Sequence, residues 1–369
     1  MSYGYNPSMV TNGLLMNIDA ANPKSYSANV FANPLDTFAW CPSGGYQMTS
    51  ARDTTVTDSP AGGIPLKLVT SGTSAYSGTY NSSTYNVAPA ATGQTWTVSF
   101  WVKASSAVTA SMLIFEANSA GNYTAYGQPS YNVTTSWTRV TGTYTMTQAT
   151  TAYIQIRIDC YVTGITLWVD GIQVERASSA TKFNSLTNTN GTSWYDLTRN
   201  GYNATTTGYP TVSGGVMQFN ASNYASVSNI NLSTSHYTVV GAARYSGATR
   251  GRMINAISNN WLMGHWSNSV SNYYAAGWVT GAGVGGSDTT WRIYHATGNI
   301  ATGIYQLYIN DTLYVSAAGG TAGPNGLQVP QGGGEQSVGE CGFILAYNRV
   351  LSANEVKQNF YALRGRYGI

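Results

Sequence analysis

The amino-acid sequence predicts an all-β protein built of sandwiches, with one short α-helix near the C-terminus. Hydrophobic residues make up 43% of the 369 residues, but charged residues only 8%, against roughly 25% charged in an average soluble domain. Aromatic and β-branched residues recur in short runs of alternating polarity, which is the pattern of half-buried strands. Turn-forming clusters separate these runs, and glycine alone occurs 41 times. Many short strands joined by turns are typical of all-β sandwiches.

The clearest strand signal lies in the segment 96–103. Val98, Phe100 and Val102 there alternate with residues that are polar or amphipathic, which predicts a strand with one face in the core. Further segments with strand composition are 153–158, 167–170, 237–243, 304–309 and 341–347.

One helix is predicted close to the C-terminus. Ser352 is a good N-cap, and Glu355 follows three residues later, so the two form a capping box. A hydrophobic stripe follows at i, i+4 and i+7, formed by Val356, Phe360 and Leu363. Gly365 is expected to end the helix in the left-handed conformation. The stripe should dock the helix on a sandwich.

Charge and cysteine content exclude several classes of protein. The net charge is only +3 and no basic run occurs, so no nucleic-acid partner is expected. No apolar run approaches the roughly 18 residues of a membrane span, so no membrane insertion is expected. The N-terminal residues lack the features of a signal peptide, and three sparse cysteines (Cys41, Cys160 and Cys341) predict buried thiols rather than a disulfide framework. These features indicate synthesis and folding in a cytoplasm.

Two parts of the chain resemble one known family. The segment Gly13–Tyr26 resembles the opening strand of the laminin-G-like, concanavalin-A-like domains of phage structural proteins, and 194–201 is similar to their Trp-x-Asp-Leu-(Ser/Thr)-x-Asn-Gly turn. Leu307–Asp311 is similar to the family's Leu-Tyr-x-Asn-Gly hairpin, with Asp311 in place of the usual glycine. The segment 347–352 and Glu355 match its closing strand-to-helix motif. The resemblance assigns residues 1–28 and 184–369 to one discontinuous sandwich.

The intervening residues 29–183 resemble a different family. In order along the chain, 53–58, 66–68, 96–104, 137–140 and 167–175 are similar to segments of a carbohydrate-binding module of the family 4 and 9 type, a β-jelly-roll. Insertion into an exposed loop cuts few buried contacts and is therefore tolerated. The predicted fold is thus two β-sandwich (jelly-roll) domains, one inserted into the other, with one short C-terminal α-helix.

Residues that could carry out catalysis are scarce. Glycoside hydrolysis normally needs two carboxyl groups beside one bond, and the five glutamates show no close cluster. The three histidines lack metal-ligand spacing. No nucleophile elbow or phosphate-binding loop occurs. The sequence therefore predicts that the protein is not an enzyme.

Sugar binding needs only aromatic faces that stack on pyranose rings and polar groups that bond the hydroxyls. The outward positions of two predicted strands supply both kinds of side chain, namely Trp101, Lys103, Tyr153, Gln155 and Arg157. If the two strands share the concave sheet, these residues line one cleft, in which the Arg157 guanidinium could bond sugar hydroxyls or an acidic substituent. Alternatively, this face is convex and solvated, or packs on a neighbouring molecule. Trp96 and Trp137 are expected in the core.

Two further sets of residues have open roles. Asp170 matches an acidic position that helps hold structural calcium in such modules, with Asp36 as a partner, although an ordinary solvated or turn aspartate is the simpler alternative. The stretch 261–278 of the outer domain is rich in aromatic residues, some expected in the core and others on a subunit contact.

The resemblances imply a function on the surface of a virion. The first interpretation is a fibre tip or capsid decoration that binds host-surface glycans in many copies, or as a homo-oligomer, beside other virion structural proteins. The second is a purely architectural virion protein that uses lectin-like folds for protein contacts without binding sugar. An accessory module of a carbohydrate-active enzyme is the third, and the fold alone does not choose between the first two.

Overall fold

The computed structural model describes residues 8–22, 24–26, 29–31, 46–78, 85–183, 193–208 and 210–369. The described residues form antiparallel strands and one α-helix near the C-terminus, which confirms the predicted all-β class. The chain divides into two compact units. We call Ser27–Gly191 the continuous unit, and Met1–Tyr26 together with Thr192–Ile369 the split unit. The predicted insert, residues 29–183, lies within the continuous unit.

The strands are short and follow one another closely along the chain. The first twelve are β1 (Leu14–Asp19), β2 (Met48–Arg52), β3 (Leu66–Thr70), β4 (Ala75–Gly78), β5 (Ala88–Pro89), β6 (Thr95–Ala104), β7 (Val108–Ala117), β8 (Tyr123–Gly127), β9 (Ser130–Val133), β10 (Thr138–Thr145), β11 (Tyr153–Cys160) and β12 (Thr166–Glu175). The next are β13 (Ser193–Trp194), β14 (Ala204–Thr207), β15 (Thr211–Ser213), β16 (Val216–Phe219), β17 (Tyr224–Asn231), β18 (Tyr237–Arg250), β19 (Ile254–Asn255), β20 (Trp261–Trp266), β21 (Ser269–Ala275), β22 (Arg292–Asn299), β23 (Ile304–Ile309), β24 (Thr312–Ala317), β25 (Asn325–Val329) and β26 (Ser337–Tyr347). The helix α1 (Ala353–Leu363) follows.

Two sheets enclose the core of the continuous unit. The five-stranded sheet has the order β10-β6-β12-β3-β2. The six-stranded sheet has the order β4-β11-β7-β8, with β5 beside β11 and β9 beside β7. Alternate residues of β6, such as Phe100, meet alternate residues of β11, such as Ile156, in one cluster of buried side chains. Each such side chain contributes roughly 1.5–3 kcal/mol to the free energy of unfolding. The intervening residues of the two strands therefore face away from the core on opposite sides of the sandwich.

The split unit contains the other two sheets. One has the order β15-β16-β26-β18-β22-β23-β24, with β1 beside β26, and the other has the order β13-β14-β17-β25-β19-β20-β21. The chain around Asp196 holds β1 in place, because its carboxylate accepts a hydrogen bond from the Asn17 amide at 2.9 Å. Buried hydroxyl groups are paired as well: the Tyr237 and Tyr273 hydroxyls lie 2.6 Å apart, and the Trp261 indole donates to Tyr237 at 3.0 Å.

The predicted C-terminal helix is confirmed, but its predicted end is wrong. Ser352 and Glu355 form the capping box, and Val356 and Phe360 are buried in a cluster with residues of β18, β22 and β26. Gly365 does not adopt the left-handed conformation, because the chain continues through a 3-10 turn, Arg364–Arg366. This turn lets Arg366 bond the Asp19 carboxylate at 2.6 and 2.9 Å.

Cys160 and Cys341 are buried free thiols, as expected, while Cys41 lies outside the described residues. Among the described residues, no helix is long and apolar enough to cross a membrane.

Candidate functional site

The five residues predicted to bind sugar do not line one cleft. Trp101 and Lys103 lie on β6 in the five-stranded sheet, whereas Tyr153, Gln155 and Arg157 lie on β11 in the six-stranded sheet. Because the two sheets share one core, the two groups point away from each other. The prediction of a single cleft is therefore wrong, and the residues mark two separate faces.

The outer face of the six-stranded sheet carries a shallow aromatic cleft. Its volume is about 170 Å³, below the roughly 300–1,000 Å³ of most closed ligand pockets. The lining residues come from β7, β8, β11 and the adjoining loops, and are Leu113, Phe115, Tyr123, Tyr126, Gln128, Arg157 and Tyr161. The open shape and the aromatic lining suit a ligand that lies along a surface.

Tyrosine rings form the walls of this cleft. Tyr123 and Tyr126 are 45% and 49% exposed, and their rings lie 5.7 and 5.4 Å from the buried ring of Phe115. Tyr161 on the other side is 48% exposed. Contact with a buried ring restricts a tyrosine side chain, which therefore loses less conformational freedom on binding. The walls are therefore pre-formed.

Arg157 lies at the floor of the cleft, and Asp159 neutralises its charge. The guanidinium donates from Nε and Nη2 to the two Asp159 carboxylate oxygens at 2.7 and 2.8 Å. Its planar group also lies 4.2 Å from the centre of the Tyr76 ring and 5.3 Å from that of Phe115. Arg157 thus contributes a polar, rigid floor without a net charge.

The same carboxylate positions Tyr161. The Tyr161 hydroxyl donates to Asp159 at 2.7 Å, and Gln128 donates to that hydroxyl at 3.2 Å. Burial and the bond to Asp159 raise the pKa of Tyr161 above its usual value, so its hydroxyl stays protonated at neutral pH. A protonated hydroxyl and an amide can both donate and accept, as recognition of sugar hydroxyls requires.

A second aromatic pair adjoins Arg157. Tyr46 and Tyr76 stack with ring centres 5.7 Å apart and planes 24° apart, and Tyr46 is 55% exposed. The Tyr76 amide also bonds the Tyr46 carbonyl at 3.0 Å, which ties the two residues together. This pair extends the aromatic surface beyond the cleft.

Two of the predicted residues, Gln155 and Tyr153, do not line the cleft. Gln155 is fully buried, and its amide donates to the Asn86 side chain at 2.8 Å and to the Gly121 carbonyl at 2.9 Å. The prediction that Gln155 contacts a ligand is therefore wrong, since its side chain holds two loops to the sheet. Tyr153 is partly exposed at the start of β11, beside Pro89 and Ala117.

Glu116 fixes the loop that follows β10. Its buried carboxylate accepts hydrogen bonds from the Tyr144 hydroxyl at 2.8 Å, the Thr147 amide at 2.7 Å and the Gln148 amide at 2.8 Å, and also from the Thr151 hydroxyl. Burial alone would raise the pKa of Glu116, but these donors outweigh burial and lower it. Because Glu116 follows Phe115 in β7, this network also holds the floor of the cleft.

The second face, on the five-stranded sheet, carries three partly exposed tryptophans. Lys103 lies between two of them, with its ammonium 4.9 Å from the centre of the Trp137 ring and 5.6 Å from that of Trp168. The ammonium also bonds Asp58 at 3.0 Å. Trp96 is in the core as predicted, but Trp137 is partly exposed on this face because its indole donates to Asp58.

The predicted calcium site stays a prediction. The Asp170 carboxylate is buried and accepts hydrogen bonds from Ser59 at 2.5 Å, Gly63 at 3.1 Å and Gly171 at 2.8 Å. These donors satisfy a carboxylate and do not fit a cation, which needs several oxygen ligands. No group of three metal-ligating side chains occurs among the described residues, and Asp36 lies outside them.

Two histidines of the split unit are buried, and two glutamates are paired with arginines. His265 and His295 are fully buried, and burial lowers the pKa of each to about 3, so both imidazoles are neutral. The His265 ring lies 4.6 Å from that of Tyr245. Glu335 and Glu340 pair with arginines, at 2.6 Å to Arg252 and 2.7 Å to Arg244.

The aromatic-rich stretch 261–278 divides between the core and the surface. Trp261 and Tyr273 are fully buried, whereas Trp266, Tyr274 and Trp278 are partly exposed and cluster with ring centres 5.0–5.1 Å apart. A subunit contact at this cluster stays a prediction.

Sequence reasoning missed the tyrosines that form the cleft walls. Tyr161 could have been predicted to share a face with Arg157, because Arg157, Asp159 and Tyr161 continue the period-two alternation of β11. Tyr123 and Tyr126 were not, since they are three residues apart and a register shift interrupts the pairing of β7 with β8. Only the density of tyrosine in this part of the chain could have indicated them.

Comparisons with known proteins connect this unit to sugar binding. Residues 26–160 match the model of a carbohydrate binding domain family, CBM_4_9, a family of binding modules rather than catalytic domains. This match supports a carbohydrate-binding jelly-roll and glycan as a partner. No curated protein sequence matches the chain.

Several solved structures are similar to parts of the chain. The CBM22-1 xylan-binding domain of Xyn10C from Paenibacillus barcinonensis is 12% identical, with 44% of this chain and 93% of that chain covered and a TM-score of 0.27. A CBM4 structure is 18% identical, with 36% and 92% covered and a TM-score of 0.26. The ligand-binding domain of botulinum neurotoxin serotype D, in complex with N-acetylneuraminic acid, is 14% identical, with 46% and 48% covered and a TM-score of 0.32.

Proposed function

We propose that the protein is a non-enzymatic virion-surface protein whose continuous unit binds a neutral glycan in the cleft on the six-stranded sheet. The observation that carries this proposal is the set of exposed, pre-formed tyrosine walls above the Arg157–Asp159 pair. The match of residues 26–160 to a carbohydrate-binding family supports the class of ligand.

The chemistry of the cleft suits sugar rings. Tyrosine faces stack on the apolar faces of pyranoses, and the polar groups at the floor bond their hydroxyls. The Arg157 charge is matched by Asp159, whose side chain is fully buried. An acidic substituent would bring an uncompensated charge beside that carboxylate. Of the two partners expected for Arg157, sugar hydroxyls or an acidic substituent, we therefore propose the hydroxyls of a neutral sugar.

Attachment through such a cleft requires many copies. A few stacking and hydrogen-bonding contacts give a dissociation constant of order 0.1 to 1 mM. Many copies on one particle would convert weak single sites into firm, reversible attachment to host-surface glycan. The resemblance of both parts of the chain to modules of phage structural proteins and carbohydrate-binding proteins supports a fibre tip or capsid decoration.

A glycan array probed with the multimerised full chain tests the proposal. Wild type should bind neutral bacterial surface glycans, and Tyr126→Ala should lose most of that signal. Tyr314→Ala is the matched control, because Tyr314 is 47% exposed but lies on β24 of the split unit. Absence of binding by wild type, or equal signals from both variants, would contradict the proposal, and complete absence would favour an architectural virion protein.

A further inference from the structure

The outer face of the five-stranded sheet has features that the cleft does not use. Three tryptophans, Trp101, Trp137 and Trp168, are partly exposed there. Large aromatic side chains normally bury most of their area in cores or interfaces. Three such residues on the side of a sheet that points away from its core mark a surface suited to a ligand.

Two of these tryptophans are held in fixed positions by carboxylates. The Trp137 indole donates to Asp58 at 3.1 Å, and the Trp168 indole donates to Asp53 at 2.9 Å. The bond from Trp137 lowers the pKa of Asp58, and bonds from the Thr55 hydroxyl and then from Trp168 lower that of Asp53, so both carboxyl groups are ionised at neutral pH. Each indole edge is therefore satisfied within the protein, and what remains for a ligand is ring surface.

Lys103 and Asp58 place polar groups between the rings. The Lys103 ammonium lies between the two indoles and bonds both Asp58 oxygens, at 3.0 and 3.2 Å. The Asp58 side chain is 66% exposed, so its oxygens can accept hydrogen bonds from outside. Ammonium and carboxylate neutralise each other, which suits a ligand with hydroxyl groups and no net charge.

The spacing of the row fits a chain ligand. Trp168 pairs with Lys103 across neighbouring strands. Thr138 pairs with Val102 on the other side of β6, so Trp137, which precedes Thr138, lies level with Lys103 in this antiparallel register. The row thus crosses β12, β6 and the start of β10, and two strand spacings amount to roughly 10 Å. Alternate sugar rings of an extended glycan can contact platforms at such a separation.

We propose that this tryptophan face is a second glycan-binding site, on the opposite side of the sandwich from the tyrosine cleft. The occupant is a neutral oligosaccharide segment, with sugar rings against Trp137 and Trp168 and hydroxyls on Asp58 and Lys103. The same unit matches the carbohydrate-binding family, which favours a sugar over a protein partner. With a site on each face, one unit can hold two glycan segments at once.

Fluorine NMR of the full chain labelled with 5-fluorotryptophan tests this second site. The cleft is lined by tyrosines, and no tryptophan occurs among the described residues that line it, so the two sites give separate signals. Trp137→Phe and Trp168→Phe assign the two resonances. The probes are the neutral hexasaccharides xylohexaose and cellohexaose, added up to about 10 mM, well above a 1 mM dissociation constant.

We expect the Trp137 and Trp168 resonances to shift with at least one hexasaccharide, in wild type and equally in Tyr126→Ala, where the cleft is impaired. Asp58→Ala should weaken the apparent affinity about fivefold, since it removes one charged hydrogen-bonding group. The Trp278 resonance of the split unit should stay unchanged. No shift at either tryptophan with both probes overturns the second site, and so does a shift that disappears in Tyr126→Ala.

Discussion

The Arg157 guanidinium and the Asp159 carboxylate form a two-pronged ion pair within one strand, with N–O distances of 2.7 and 2.8 Å. Residues two apart on a strand lie on the same face, so β11 alone brings the pair together. The Arg157 and Asp159 side chains are 13% and 0% exposed, and the pair is therefore poorly screened by water. It gives the cleft a polar floor without net charge.

Removing the negative partner should change which glycans bind. Asp159→Asn keeps the shape of the side chain but leaves the Arg157 charge uncompensated in the cleft. We expect neutral glycans to bind more weakly and glycans with carboxylates to bind more strongly than to wild type, because the guanidinium would then be available to an acidic group. Isothermal titration with a neutral oligosaccharide and its uronic acid counterpart measures both changes.

The matched control for this substitution is Asp311→Asn in the split unit, which should leave both affinities as in wild type. If Asp159→Asn retains the wild-type order of preference, charge neutralisation by Asp159 does not select the ligand. Because loss of a buried ionic partner can cost about 3–5 kcal/mol of stability, folding of Asp159→Asn should be checked by thermal unfolding before titration.

Glu116 should make the stability of the continuous unit sensitive to acid. Its pKa in the folded protein lies below the ordinary value of 4.5, so its stabilising contribution is complete above that value and is lost as pH falls through the folded pKa. Glu116→Gln should cost about 1–3 kcal/mol at pH 7. Between pH 7 and pH 3, the melting temperature of Glu116→Gln, followed by circular dichroism, should fall less than that of wild type. Parallel pH profiles for the two proteins would contradict this role.

The C-terminal helix offers a test of docking against capping. Phe360 lies on the buried side of α1 and is only 6% exposed. Phe360→Ala should therefore lower the free energy of unfolding by about 3–5 kcal/mol. Ser352→Ala removes only the N-cap and should cost about 1 kcal/mol. Denaturant titration measures both, and two small, equal losses would mean that the helix contributes little through its buried side.

Each unit should fold without the other, because each has its own buried clusters. Residues 27–191 expressed alone should unfold cooperatively. A chain in which a short Gly-Ser link joins Tyr26 to Trp194 should keep the split unit folded. The absence of a thermal transition in either protein would show that the boundaries are misplaced or that the units depend on each other.

Local patterns in the sequence predicted local structure well. The alternation around Phe100 and Ile156 identified strands and their buried sides, and Ser352 with Glu355 identified the start of α1. These features depend on neighbouring residues only, which is why the sequence carries them. Gly365 was predicted to end the helix, but the contact between Arg366 and Asp19, distant in sequence, favours a continuing turn.

The location of the proposed binding surface depends on which strands pair with each other, and strands distant in sequence pair in ways that local patterns do not predict. Alternation shows that Trp101 and Arg157 both point away from a core, but not that their strands belong to opposite sheets. The Glu116 network was also hidden, because its donors, Tyr144 and the loop 147–151, lie about thirty residues further along the chain. The aromatic composition indicated the kind of ligand, while only the fold located the cleft.

The most direct test of the cleft is a ring-carbon NMR titration of the full chain labelled at tyrosine, using the neutral glycan that gives the strongest array signal. We predict that the resonances of Tyr123, Tyr126 and Tyr161 shift together, with one dissociation constant of order 0.1 to 1 mM, while Tyr314 on the split unit stays unchanged. Binding that leaves all three cleft tyrosines unshifted would contradict the proposed glycan site on the six-stranded sheet.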